Sequence, residues 1–399
     1  MAMAKNVIIL LIVLLTISFQ SHACSMFVII KDGKVMVGNN EDFWNQNSRM
    51  WFEKGNKDEF GVVYVGFDDL WPQGAINDKG LVFDGFAMPH LEIKDFEGKD
   101  SPEHEDFLQF IMRTCSKVEE VKDIFLKWDL RGMETSMFYF VDKSGKQLIV
   151  EGDFIEIRNQ SYDIISNFYP SQCDNLNDVA IKHYQKGRKF IETKQETSVG
   201  FCTSLLDSLH QESSWGGGTL YSTLYDLKEG IIYLYYNHDF NNVITINIDE
   251  ELQKENHIIE IPKLFPDNKN GQEFHKNYNE TISKIEELGN IKTISSSENI
   301  SELEKFFNNV HRINIYREYF DKVADKWEET EDFKSAIKVY EVMAMFFPDD
   351  YQIYYKLGEA NFKLKLYNKA LLNYQECSKL VPENEKLKEK IDVVKELIE

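Results

Sequence analysis

The sequence predicts an α+β domain built from layered sheets, followed by a small all-α region. The first observation is that short apolar runs bounded by turn residues dominate residues 24–262, with few helical stretches between them. The second is that the pattern changes after residue 262, and from about residue 315 every apolar periodicity is helical. Because strands and helices do not alternate regularly in 24–262, the sequence does not favour a parallel βαβ sheet.

A β-hairpin opens the predicted sheet domain. Met26–Ile30 is an apolar run, residues 31–34 form a glycine-containing turn, and Val35–Gly38 returns as the second strand. Further strands are predicted at Phe60–Phe67, Gly80–Phe86, Met137–Val141, Gln147–Glu151, Tyr162–Ser166, Tyr221–Tyr225 and Ile231–Tyr236. Helices are predicted at Phe107–Cys115, Val118–Leu126 and Phe201–Leu209.

The C-terminal part of the chain divides into a linker and a repeat region. Residues 263–314 are polar and rich in Asn, Lys, Glu and Ser, which predicts a linker with weak helices. In residues 315–399, the interval from Ala336 to Ala370 is the same as that from Tyr340 to Tyr374. This period resembles that of tetratricopeptide repeats, in which each helix pair buries its seam by stacking on a neighbour.

Composition and charge exclude several classes of protein. The 399 residues are 43% hydrophobic and 13% aromatic, so the chain has enough apolar material for packed cores and is not a disordered protein. The formal net charge is −22, which would repel a phosphate backbone. Nucleic-acid binding is therefore not expected as the main function.

Residues 1–23 have the pattern of a secretory signal peptide. Lys5 is followed by the apolar run Val7–Leu15, and Ser21-His22-Ala23 places small residues at −3 and −1 relative to a cut before Cys24. The sequence therefore predicts a secreted or periplasmic protein that has no membrane segment after cleavage. Lipid attachment to Cys24 is a second interpretation, but Ser21 and His22 do not match the usual lipoprotein box.

The five cysteines do not predict a metal cage or a disulfide framework. No two cysteines have the CxxC spacing typical of zinc sites, and their number is odd, so at least one thiol is free or pairs between chains. Cys24 is the natural free thiol. Neither a metal nor a cofactor is expected.

Cleavage before Cys24 would place a thiol beside a free α-amine. A thiol is a good nucleophile only as the thiolate and therefore needs a base. The α-amine has a pKa of about 7.7–8.0 and can take the thiol proton directly or through one water. The segment from Cys24 to Asp42 has the length of a two-strand hairpin, which returns the chain beside its start. Asp42 is therefore expected to orient the amine, and no histidine is required.

Several segments together resemble the N-terminal-nucleophile (Ntn) hydrolases of the choloylglycine hydrolase and penicillin V acylase group. Their likeness is closest to the branch with acyl-CoA:6-aminopenicillanate acyltransferase, a peptidase C45-like group. The segments that match are Cys24, the run Gly38–Phe43 (GNNEDF), the run Gly74–Leu81 (GAINDKGL) with Phe83-Asp84-Gly85 behind it, Ser166-Asn167 and the hairpin Tyr221–Tyr236. The resemblance implies an αββα sandwich for residues 24–262.

The resemblance also implies roles for individual residues. Cys24 would be the nucleophile and Asp42 the partner of its amine, while the amide of Asn167 and the backbone N–H near Ala87 would stabilise the oxyanion. Asn39 differs from the arginine that bile-salt and penicillin V members carry after the glycine of this run. The late catalytic arginine of the family has no counterpart either, because no arginine lies between Arg188 and Arg312.

Three functions remain compatible with these residues. The first is an exported amidase that cleaves a linear carboxamide of a small acyl-amide substrate through an acyl-cysteine intermediate. The second is an acyltransferase that passes the acyl group to an amine or thioester acceptor. The third is an inactive fold that binds partners through its repeats. In each case the C-terminal repeats are a candidate surface for a protein partner or self-association.

Overall fold

A computed structural model describes residues 24–100, 106–214 and 216–398. The predicted signal peptide, residues 1–23, lies outside the described residues. The chain divides into two compact units, one up to His275 and one from Lys276 to the C-terminus. No α-helix within the described ranges is both long and apolar enough to cross a membrane.

The strands of the first unit form two antiparallel sheets. Within the described residues they are β1 (Ser25–Lys31), β2 (Lys34–Phe43), β3 (Arg49–Glu53), β4 (Val62–Gly66), β5 (Pro72–Asn77), β6 (Val82–Ala87), β7 (Ser136–Val141), β8 (Gln147–Glu151), β9 (Phe154–Arg158), β10 (Tyr162–Ser166), β11 (Gly218–Asp226), β12 (Ile231–Tyr236), β13 (Ile244–Asn247) and β14 (His257–Glu260). The six-stranded sheet has the order β10-β1-β2-β11-β12-β13, and the eight-stranded sheet has the order β14-β3-β4-β5-β6-β7-β8-β9.

The α-helices include two pairs inserted between the strands and a longer C-terminal series. In the described residues they are α1 (Phe107–Thr114), α2 (Val118–Phe125), α3 (Lys182–Thr193), α4 (Val199–Leu209), α5 (Ile248–Leu252), α6 (Ile261–Leu264), α7 (Lys269–Glu286), α8 (Ile291–Ser295), α9 (Ser297–Phe307), α10 (Arg317–Glu329), α11 (Phe333–Phe346), α12 (Tyr351–Lys363), α13 (Tyr367–Leu380) and α14 (Glu385–Ile398).

The first unit is a four-layer sandwich with three apolar layers. The central core lies between the sheets and joins residues such as Val28 and Val37 to Val63 and Ile149. A second core packs α1 and α2 on the eight-stranded sheet. A third packs α3 and α4 on the six-stranded sheet. The predicted αββα sandwich is therefore confirmed.

Alternation along β1 shows why this strand is apolar over most of its length. Met26 and Val28 face the core between the sheets, while Phe27 and Ile29 face the helices. Successive side chains of a strand point to opposite faces, so a strand covered on both faces needs apolar residues at almost every position. This requirement explains the uninterrupted run at the start of the domain.

Gly38 gives a test of the packing between β1 and the helix layer. It lies opposite Phe27, and a Cβ at Gly38 would be 2.3 Å from Cε1 of the Phe27 ring. We expect Gly38→Ala to lower the free energy of unfolding by about 1–3 kcal/mol, because the ring must move within a filled core. Urea denaturation followed by circular dichroism measures this difference.

Gly200 is the matched control for this substitution. It lies in α4, and a Cβ there would meet no atom within 4 Å. Gly200→Ala is therefore expected to be neutral or to stabilise the protein by up to about 1 kcal/mol. Equal stability of the two variants would contradict the packing of Phe27 against β2.

The second unit is entirely helical in its described residues. Consecutive helices pack side by side in the order α10, α11, α12, α13 and α14. The alanine and tyrosine positions that recur with one period are buried, and a Cβ at Gly358 would lie 2.4 Å from Cε1 of Tyr374. The segment 263–314 contains α7, α8 and α9 together with the end of α6.

Candidate active site

Cys24 lies immediately before β1, in the layer between the two sheets. It is only 6% exposed, and it belongs to the central core. Its Sγ is 3.5 Å from Oε1 of Glu41 and 3.9 Å from the carbonyl oxygen of Asp42. Burial raises the pKa of the Cys24 thiol well above its usual range, and Glu41, Asp42 and Asp84 raise it further.

The strand register explains which residues flank Cys24. Ser25 pairs with Asn40 on β2 and with Ser166 on β10, so residue 24 lies opposite residue 41 on one side and residue 167 on the other. Side chains of directly opposed residues share one face of a sheet. Glu41 on β2 and Asn167, which directly follows β10, therefore flank Cys24.

The Asp42 carboxylate makes its hydrogen bonds on β11 and on the segment after α4. Gln211 Nε2 donates to Asp42 Oδ2 at 2.6 Å, and the Thr219 hydroxyl donates to Asp42 Oδ1. Burial raises the pKa of Asp42 to about 7, although these two hydrogen bonds act in the opposite direction. The backbone of Asp42 thus approaches the Cys24 thiol, while its side chain is held by Gln211 and Thr219.

Asn167 and Ala87 are in direct contact. Asn167 follows β10, Ala87 ends β6, and Nδ2 of Asn167 donates to the Ala87 carbonyl oxygen at 2.7 Å. The structure therefore brings three of the sequence-predicted site segments, at residues 24, 87 and 167, to neighbouring strand ends. If the hydrogen bond from Asn167 Nδ2 to the Ala87 carbonyl oxygen breaks, this N–H can donate to a developing oxyanion instead.

Glu41 and Asp84 form a buried acidic pair that sequence reasoning did not identify as part of the site. Burial raises the pKa of Glu41 to about 8, and burial followed by repulsion from Glu41 raises the pKa of Asp84 well above its usual range. No lysine or arginine among the described residues forms a salt bridge with either carboxylate. Oε2 of Glu41, Oδ1 of Asp84 and the hydroxyl of Tyr221 are buried without a hydrogen-bond partner.

His183 is a second residue that the sequence pattern did not indicate. The Ser166 hydroxyl donates to the Cys24 carbonyl oxygen at 2.8 Å, and the same hydroxyl oxygen lies 3.3 Å from Nε2 of His183. A single serine thus connects the backbone of Cys24 to a histidine on α3. No local motif marks His183, because only the β1–β10 pairing brings α3 to Cys24.

The raised pKa of Glu41 predicts a pH-dependent stability. Below about pH 4.5 both the folded and the unfolded chain hold this proton, but between pH 4.5 and about 8 only the folded chain keeps it. The free energy of unfolding should therefore fall as pH rises through this window, by at most about 1.4 kcal/mol per pH unit for one proton. Glu41→Gln should make the dependence shallower in urea denaturation between pH 5 and 8.

The control for this experiment is Glu97→Gln, which changes an exposed carboxylate. Both variants are compared in a chain that keeps the Ala23–Cys24 peptide bond, because a free α-ammonium would add a charge. If the free energy of unfolding of Glu41→Gln fell with pH as steeply as that of Glu97→Gln, the raised pKa of Glu41 would be contradicted.

Comparisons with known proteins return several similar solved structures, and two of them are a bile acid hydrolase and a penicillin V acylase. One is a variant of the conjugated bile acid hydrolase from Clostridium perfringens, with 18% identity over 59% of this chain and 95% of that one, at a TM-score of 0.44. The other is the penicillin V acylase from Agrobacterium tumefaciens, with 14% identity over 59% of this chain and 90% of that one, at a TM-score of 0.45. The chain matches no family profile and no curated protein.

Proposed function

We propose that the protein is an exported Ntn-type cysteine amidase that cleaves a linear carboxamide. The observation that supports it best is the position of Cys24, which lies immediately before β1 with Glu41 of β2 on one side and Asn167, directly after β10, on the other. A nucleophile, a carboxylate and an amide donor on three adjacent chain segments are groups suited to acyl transfer.

The proposal requires removal of residues 1–23 as a signal peptide. Cleavage would free an α-amine on Cys24, and covalent geometry holds that nitrogen within about 4 Å of Sγ. The amine would then lie close to Glu41 and Asp42, which are buried without a described cationic partner. At the position where the resembling family has an arginine this chain has Asn39, so the ammonium would supply the positive charge.

The proposed reaction has two halves. The neutral amine takes the thiol proton, Sγ attacks the carbonyl carbon, and the Asn167 amide donates to the oxyanion. The C–N bond then breaks, and the leaving nitrogen receives the proton held by the Cys24 ammonium. Water attacks the resulting thioester with the amine again as base, which releases the carboxylic acid and restores the thiol.

The C-terminal helices are proposed to be tetratricopeptide-like repeats that contact a protein partner or a second copy. The support for this proposal is the burial of Ala336, Ala370, Tyr340 and Tyr374, which recur with one period along the sequence. The proposed chemistry does not use any residue of this region.

Trapping the acyl-enzyme tests the amidase proposal. The secreted protein is treated with a β-lactone and digested, and the adduct is located by mass spectrometry. We expect one acyl group on a peptide that begins at Cys24 with an unmodified amine. An adduct on Cys202 or Cys377, or a diacylglycerol on Cys24, would contradict the proposal. Addition of a primary amine distinguishes hydrolysis from transfer, because a transferase would yield the new amide in place of the acid.

A further inference from the structure

Two histidines and a glutamate form a cluster beside the segment that follows α4. His210 comes directly after this helix, and His238 lies in the turn after β12. Glu212 lies further along the segment after α4, where it pairs with Gly218 in an isolated antiparallel β-bridge. One ligand atom from each side chain lies within 4.8 Å of the other two. The three residues come from two separate parts of the sequence, with strands β11 and β12 between them.

The distances are close to those of a metal site. Oε1 of Glu212 lies 3.3 Å from Nδ1 of His238 and 3.9 Å from Nε2 of His210. Around a tetrahedral Zn²⁺ with bonds of about 2.0–2.1 Å, neighbouring ligand atoms are about 3.3 Å apart. The pair Glu212–His238 already has this separation, the pair Glu212–His210 must close by about 0.6 Å, and the ligand nitrogens of the two histidines lie within 4.8 Å of each other. The two rings stack with centroids 5.3 Å apart, and one nitrogen of each lies within 4 Å of Oε1 of Glu212.

The protonation of His210 suits coordination. Its Nδ1 lies 2.5 Å from the carbonyl oxygen of Asp207 and 3.2 Å from the Asp207 carboxylate. Two acceptors at Nδ1 keep the proton on that nitrogen and leave the lone pair of Nε2 facing Glu212. A carboxylate behind a ligating histidine is the usual outer partner in zinc sites.

His238 is also suited to bind a cation. The side chain of His238 is 21% exposed, so its ring is partly shielded from water beside the Glu212 carboxylate. Glu212 is 65% exposed on its side chain, which leaves a fourth position open to water.

We infer that His210, Glu212 and His238 bind one Zn²⁺ ion through Nε2, a carboxylate oxygen and Nδ1. Two imidazoles with one carboxylate favour zinc and its neighbours among the transition metals, whereas Mg²⁺ and Ca²⁺ prefer all-oxygen ligands. The ion would join the end of α4 to the turn after β12.

This site would also position Asp42. Gln211, between two of the ligands, donates through Nε2 to Asp42 at 2.6 Å, and its backbone N–H donates to Thr219 Oγ1 at 2.9 Å. Thr219 in turn donates to the same carboxylate. A metal that fixes residues 210–212 would thereby fix both hydrogen bonds of Asp42. This consequence for turnover rests on the proposed function, whereas the metal site itself does not.

Metal titration tests the site without reference to activity. The full-length protein is treated with a chelator, desalted and titrated with Zn²⁺ against a chromophoric competitor. We expect one bound ion, a higher midpoint of thermal unfolding with Zn²⁺ than without, and no such change with Mg²⁺. Co²⁺ in place of Zn²⁺ should give the strong visible bands of a tetrahedral site.

Substitutions decide which residues hold the ion. Asp207→Ala should weaken binding about 10–100-fold, and His210→Ala or His238→Asn should weaken it further. Asparagine is used at His238 because that residue has a φ of 46°, which asparagine tolerates. His311→Ala, at an exposed histidine of the second unit, should bind Zn²⁺ as the unaltered protein does.

Two results would overturn the inference. One is that the unaltered protein binds no Zn²⁺ ion tightly. The other is that His210→Ala and His238→Asn both fold and bind Zn²⁺ as tightly as the unaltered protein does. Folding of each variant is checked by its metal-free thermal transition. If the protein binds one Zn²⁺ ion tightly but has no amidase activity, the metal site is supported and the proposed function is rejected.

Discussion

Replacing Cys24 with alanine is expected to abolish amide hydrolysis and to leave no trapped acyl-enzyme. The thiol is the only group that the proposed reaction bonds to substrate, so kcat should fall by more than about 10³-fold. Cys24→Ser should also lose most of the rate, because the pKa of a hydroxyl is far above that of a thiol and the same amine cannot activate it equally. Turnover of a chromogenic anilide measures both variants.

Cys202→Ala is the matched control for this experiment. Cys202 is also a buried thiol of the first unit, where it packs in the helix layer on the six-stranded sheet, and burial raises its pKa to about 12. Its loss should leave kcat within a few fold of the unaltered value. Full activity in a folded Cys24→Ala protein would exclude the mechanism and leave the family resemblance as a likeness of fold.

Substituting Ala23 with arginine is expected to remove activity as completely as substituting Cys24. Arginine at the −1 position blocks the predicted signal cleavage, so the Cys24 nitrogen stays in a peptide bond and cannot act as a base. Intact-mass measurement should show the unprocessed chain, and the same anilide assay should show no turnover.

A rescue experiment separates cleavage from folding. A chain in which Met directly precedes Cys24 yields the free cysteine when an aminopeptidase removes that methionine. This protein should be active although it lacks residues 1–23. An unprocessed Ala23→Arg protein with full turnover would contradict the role of the amine.

Sequence reasoning located several strands with their bounds and missed others, among them the interior strands Arg49–Glu53 and Pro72–Asn77. Tyr162–Ser166 and Gln147–Glu151 were predicted with the bounds that the structure has, because apolar runs between turns identify these strands. The strands that were missed also include Phe154–Arg158 and His257–Glu260, at the two edges of the eight-stranded sheet. Edge strands alternate with charged residues and have one unpaired side, so their apolar content is low.

Helix α3 was missed for a related reason. Residues Lys182–Thr193 are mostly polar, and only Tyr184, Gly187 and Ile191 are buried. So few buried positions give a narrow apolar stripe. Packing on the six-stranded sheet therefore stabilises this helix more than its own pattern indicates.

The sequence predicts several residues of the candidate site, but it does not predict which of them are neighbours. Cys24 and Asn167 are far apart in the sequence, and only the β1–β10 register makes them neighbours. The predicted hairpin brought Asp42 towards Cys24, but the register places Glu41 directly opposite it. Alternate residues of a strand lie on opposite faces, so a difference of one position decides which carboxylate meets the thiol.

No described lysine or arginine forms a salt bridge with Glu41 or Asp84, so the proposed cleavage before Cys24 would affect stability as well as chemistry. In the unprocessed chain the layer between the sheets holds two carboxyl groups whose ionisation is opposed by burial and by neighbouring carboxylates, Asp42 for Glu41 and Glu41 for Asp84. A terminal ammonium released there would compensate that charge without any change in packing. Under the proposed cleavage, the ammonium would favour the ionised form of these carboxyl groups, so the processed protein would be more stable near neutral pH than the unprocessed one.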